Sequence, residues 1–198
     1  MAIERTELNL RADLLITREL LGTAPIKASA SIWWLGSRFR VQVKSGLAVS
    51  DLLALANEPG GLGRVPRTAE ELMDTWTELP GVIDIYGDRD APVGTVVKGQ
   101  TKLETDTELL LPLAELVLSG EVGDLKPTGR GQLLEREANE YTTYLPDDGG
   151  ARSQLRRMVS GAYTLLREVT DENRSDALLR VEVSNLVEGA GSGANAPA

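Results

Sequence analysis

Lys27-Ala28-Ser29-Ala30-Ser31-Ile32-Trp33-Trp34-Leu35-Gly36-Ser37-Arg38-Phe39-Arg40-Val41-Gln42-Val43-Lys44 is the stretch on which the fold turns. Successive side chains of a strand point to opposite faces, so Ala28, Ala30, Ile32 and Trp34 share one face and Lys27, Ser29, Ser31 and Trp33 the other. Beyond Leu35-Gly36-Ser37 the alternation resumes, with Phe39, Val41 and Val43 set against Arg38, Arg40, Gln42 and Lys44. Two period-two runs across a short glycine-containing turn predict a β-hairpin with one buried face. The opposite face carries Trp33 beside Arg38, Arg40 and Lys44. A tryptophan flanked by arginines has the composition of a protein contact surface, and these four residues form the candidate interaction surface.

Towards the N-terminus, residues 4–21 set Leu8, Leu14, Leu15, Leu20 and Leu21 among glutamates and arginines. That spacing predicts a helix stopped by Gly22, so residues 1–25 are expected as an N-terminal helix or docking arm. Towards the C-terminus, Gly46 ends the hairpin and Ser50 or Asp51 can cap a short helix through Ala56. Thr68-Ala69-Glu70-Glu71 is a capping box that opens another helix, through about Thr77. Residues 82–86 and 93–98 read as strands about the acidic turn Gly87-Asp88-Arg89-Asp90.

Residues 107–118 predict a helix beginning at or after Pro112, because proline is tolerated in a first turn. Residues 120–131 are a glycine-rich loop, and residues 132–145, closing on Tyr141-Thr142-Thr143-Tyr144, favour strand. After Pro146-Asp147-Asp148-Gly149-Gly150, the residues Leu155, Met158, Val159, Ala162, Leu165, Leu166 and Val169 recur at the intervals of an amphipathic helix. Residues 178–187 give a last strand with Leu179, Val181 and Val183 on one side, and residues 189–198 a flexible tail. The expected fold class is α+β: antiparallel hairpins packed with four to five helices, in a single domain over residues 26–188.

Val41-Gln42-Val43-Lys44-Ser45-Gly46-Leu47-Ala48-Val49-Ser50-Asp51-Leu52-Leu53 resembles the second-strand-to-helix junction of the ubiquitin-like β-grasp fold. The resemblance implies a β-grasp-like core over residues 27–56 and carries no functional residues. The Gly-Ala-Gly-Ser-Gly run near the C-terminus is not the reactive di-glycine of a modifier.

The 198 residues include no His and no Cys, which removes the commonest acid–base and nucleophile arrangements, any disulfide framework and any thiolate zinc site. A net charge of −9 opposes nucleic acid as the main partner and opposes an anionic membrane surface. Residues 1–25 hold no apolar segment of a secretion signal, and cytoplasmic synthesis is expected, with incorporation into a virion or intracellular assembly. Asp84, Asp88 and Asp90, with Glu104, Asp106 and Glu108, are the one carboxylate cluster that could hold Mg²⁺ or Ca²⁺, but Asp88-Arg89-Asp90 reads as a solvated turn. Pairing Asp84 with Gln100-Thr101-Lys102 gives only a degenerate nuclease element. Gly60-Gly61-Leu62-Gly63-Arg64 fits neither a P-loop nor a dinucleotide fingerprint.

The expected function is therefore non-enzymatic and without cofactor. It is a structural or assembly protein, such as a subunit of a phage virion or another large bacterial complex, acting through protein partners as a homo-oligomer or within a larger assembly. The alternatives are a β-grasp-like protein- or ligand-binding module and a divergent carboxylate-based metal-dependent hydrolase.

Overall fold

The computed structural model describes residues 7–18, 26–44, 82–119, 126–144, 153–171 and 177–195. The strands are β1 (Asn9–Arg18), β2 (Ile26–Leu35), β3 (Arg38–Lys44), β4 (Val82–Asp88), β5 (Val93–Lys98), β6 (Thr101–Asp106), β7 (Gly129–Leu133), β8 (Arg136–Tyr144), β9 (Ser153–Ser160), β10 (Tyr163–Asp171) and β11 (Ala177–Glu188). They form one 11-stranded sheet in the order β6-β5-β4-β3-β2-β1-β11-β10-β9-β8-β7. Every pairing is antiparallel. The sheet is two consecutive meanders, β1–β6 and β7–β11, joined where β1 pairs with β11.

This corrects the α+β expectation: among the described residues there is one α-helix, α1 (Thr107–Ala114), followed by a 3₁₀ turn at Glu115–Val117. The supposed N-terminal helix is β1, whose Leu10, Ala12, Leu14 and Ile16 are buried in alternation. The supposed amphipathic helix over residues 155–169 is the β9–β10 hairpin, turned at Gly161-Ala162 with Gly161 at φ +58. Both faces of that hairpin bury apolar side chains, which blurs strand alternation into helix-like spacing. The β-grasp-like core is likewise overturned, since the β2–β3 hairpin is flanked by β1 and β4 in the same sheet. The expected helices at residues 50–56 and 68–77, and the loop at 58–64, lie outside the described residues.

The hairpin itself stands as read. Ala28, Ala30, Ile32, Trp34, Phe39, Val41 and Val43 are all buried. They continue rows across the sheet, Leu10–Trp34–Phe39–Gly87 and Ala12–Ile32–Val41–Ile85–Val96. Gly87 is needed in its row because a Cβ there would enter the ring of Phe39.

Helix α1 begins at Thr107 rather than at Pro112, because Asp106 caps it by accepting from the Glu108 backbone N at 2.9 Å. It packs on β2 to β5, where Trp34 Nε1 donates to the Ala114 carbonyl at 2.9 Å. Leu110 covers Gly94 of β5, and eight residues later Leu118 bridges to Tyr163 of β10. Six strand spacings separate β5 from β10, about 28 Å in a flat sheet. A helix turn plus a 3₁₀ turn reaches roughly 15–20 Å. The sheet therefore curls around residues 107–119, which lie on its concave, apolar face. Thr164 Oγ1 closes the far side by donating to the Leu118 carbonyl at 3.2 Å.

Candidate functional site

On the face opposite the core, cross-strand register lines up Val187, Arg11, Trp33, Arg40, Tyr86 and Thr95 across β11, β1, β2, β3, β4 and β5. Neighbouring side chains in such a row stand about 5 Å apart and interact directly. The Arg11 and Arg40 guanidinium carbons lie 5.4 Å and 4.8 Å from the Trp33 ring centroid, one from each side, and Arg40 lies 5.3 Å from that of Tyr86. Alternating cations and π-faces attract, by about 0.5–1 kcal/mol per exposed contact.

Carboxylates pin the cations. Asp84 Oδ1 accepts from Arg40 Nη2 at 2.7 Å, Arg40 Nε at 2.9 Å and Gln42 Nε2 at 3.0 Å. Arg11 binds Asp13 at 3.0 Å, and Arg38 Nε lies 3.8 Å from Asp88. Burial, then the Asp84 charge, raise the Tyr86 hydroxyl above its ordinary value against the opposing pull of Arg40. A hydrogen bond from Ser37, the Asp90 backbone N–H and the Arg38 charge together hold Asp88 below the usual carboxylate value against its burial.

The structure thus brings Trp33 and Arg40 together, with Arg38 at the hairpin end. Lys44 is exposed on the same face, four residues further along β3 from Arg40, and is no part of the row. Trp33 is half-buried, because the 3₁₀ turn Gly191–Ala194 covers part of it: a Cβ on Gly193 would strike the indole. Of the residues expected as a tail, 189–195 are described, and they lie against β1 and β2. Gly191 N donates to Asn9 Oδ1 at 2.8 Å and Gly189 N to the Asn9 carbonyl at 2.7 Å. Arg38 Nη1 donates to Asn195 Oδ1 at 3.2 Å. The sequence reading missed Arg11, Tyr86 and Val187. The alternation of Asn9, Arg11, Asp13 and Leu15 against Leu10, Ala12, Leu14 and Ile16 was the signal that could have found Arg11.

The acidic residues do not converge. Asp84 is committed to Arg40 and Gln42, Asp88 accepts from the Asp90 backbone at 3.0 Å, and Asp106 caps α1. Among the described residues no three acidic side chains come together in a way that could hold a metal ion. Lys102 does share a row with Asp84, two strands away through Val97, but its near neighbour is Glu104 at 3.9 Å. Among the described residues no helix is long and apolar enough to cross a membrane.

No protein-family model and no curated protein matches the chain. Among solved structures it is similar to an uncharacterized conserved protein from Thermus thermophilus, at 13% identity and a TM-score of 0.48, over 93% of this chain and 80% of that one.

Proposed function

We propose that the protein is a non-enzymatic component of a larger assembly that makes its protein contacts through the Arg11–Trp33–Arg40–Tyr86 row. The setting expected from the sequence, a phage virion or another large bacterial complex, belongs to the same proposal. The observation that supports this reading is the row itself. Aromatic and arginine side chains are held rigid by cross-strand stacking and by Asp84, and Val187 beside them is 42% exposed. Pre-ordered aromatics and arginines lose little side-chain freedom on binding, which is why such residues dominate contact energetics. Leu15, 52% exposed on the same face, extends the apolar part of the surface.

Light scattering across a range of concentrations tests the homo-oligomeric form. The wild type is expected to exceed the monomer mass as concentration rises, and Val187→Glu is expected to return it to monomer. A monomer at every concentration, alone and with the products of neighbouring genes, overturns the proposal. Trp33 is unsuited as the first probe, because its removal would also free the Gly191–Ala194 turn.

A further inference from the structure

On the concave face, register sets Tyr141 of β8, Arg157 of β9, Arg167 of β10 and Val181 of β11 in one row. The next row along is Thr143, Leu155, Val169 and Leu179, with the last three buried. Two guanidinium groups therefore face each other across adjacent strands in largely apolar surroundings. Arg157 is 8% exposed, and the Nε atoms of both arginines are sealed from solvent without a hydrogen-bond partner. Like charges directly opposite on a sheet destabilise it, and burial adds to that cost.

The arginines one residue away behave differently. On the other face of the same strands Arg156 binds Glu140 at 2.9 Å and lies 3.7 Å from Glu168, while Arg180 binds Glu168 at 3.1 Å and Glu182 at 2.8 Å. Among the described residues no carboxylate pairs with Arg157 or Arg167, in a chain with 30 acidic residues to 21 basic ones. Desolvation, with the repulsion of Arg157, lowers Arg167 to about 10, so it stays charged at neutral pH. Desolvation also lowers Arg157, partly offset by Tyr141.

We propose that Arg157 and Arg167, with the Tyr141 hydroxyl beside them, form a binding site for an oxyanion, the carboxylate or phosphate group of a small ligand. Planar guanidinium forks match both groups bidentately, and an anion between them would replace repulsion by two charge-assisted contacts. The flanking Leu155, Val169 and Val181 would lie against any apolar part of the ligand.

Thermal melting and calorimetric titration of the full chain with phosphate, acetate and octanoate, each against chloride at equal ionic strength, test this. At least one of the three is expected to raise the melting temperature. A response to phosphate alone supports a phosphate-bearing ligand, and one to octanoate far above acetate supports a carboxylate on an apolar chain. Arg167→Met, which keeps the packing stem, is expected to melt higher than wild type in chloride and to bind at least tenfold more weakly. Arg157→Lys, which keeps charge and stem but loses the fork, is expected to bind more weakly too, and Arg156→Met on the other face to respond as wild type. No anion response in the wild type, or an undiminished response in both Arg167→Met and Arg157→Lys, would overturn the proposal and leave the pair a packing feature.

Discussion

Asp13 gathers three donors on one carboxylate: Ser31 at 2.7 Å and Arg11 at 3.0 Å on Oδ1, and Asn185 at 3.1 Å on Oδ2. Burial pushes the group up, but the Ser31, Asn185 and Arg11 hydrogen bonds and the Arg11 charge outweigh it and hold Asp13 below its ordinary value of 3.8. A depressed carboxylate favours the fold above its unfolded value, and that contribution disappears as the pH falls through the folded one. The stability advantage of wild type over Asp13→Asn is therefore expected to be full near neutrality and to shrink below about pH 4, as read from urea midpoints across pH. Gly87 is constrained by shape instead. A methyl group there meets the Phe39 ring in a well-packed row, and Gly87→Ala is expected to cost about 1–3 kcal/mol of unfolding free energy.

Among the elements, the β7–β8 hairpin carries its own strain. Its two-residue turn, Leu134-Glu135, holds both residues in the left-handed region, at φ 51 and 58. That is the geometry of a type I′ turn, which favours Asn-Gly. Leu134 packs against the core, but Glu135 is exposed, so Glu135→Gly is expected to stabilise the protein by about 1 kcal/mol in chemical denaturation. This turn also shows why parts of the fold were hard to read, since neither residue announces it. The β2–β3 hairpin was legible because one face is uniformly apolar and Gly36 marks the turn. In β1 the outward Leu15 and the neighbouring Leu8 suggested a helix and drew attention from the true alternation at Leu10, Ala12, Leu14 and Ile16. In β9 and β10 the buried Met158 and Leu166 face away from Leu155 and Val169, and a strand apolar on both sides has no period to detect. That misreading hid the concave arginines as well. On a helix, Arg157 and Arg167 would not have met; on a hairpin turned at Gly161-Ala162 they must.

At the scale of the molecule, the sheet formed by the described residues is open, with β6 and β7 each paired on one side only among them. Lys102, Glu104 and Asp106 line β6, charges of the kind that discourage edge-to-edge pairing, whereas β7 carries a single charge, Arg130, with Gly129, Gly131 and Gln132 before Leu133. Removing residues 177–198 would create two further edges, on β1 and β10, in the middle of the sheet. Such a chain is expected to lose cooperative thermal unfolding and to elute as aggregate on sizing. The pairing of Leu10 with Glu188 has a consequence for biosynthesis. Translation proceeds at roughly 5–20 residues per second, so β1 waits on the order of ten seconds or more for its second neighbour to be made. Through that interval the growing polypeptide presents one edge of β1 unpaired and its apolar face uncovered on that side, and its yield in the cell should depend on ribosome pace and on chaperones that shield β1 until β11 arrives.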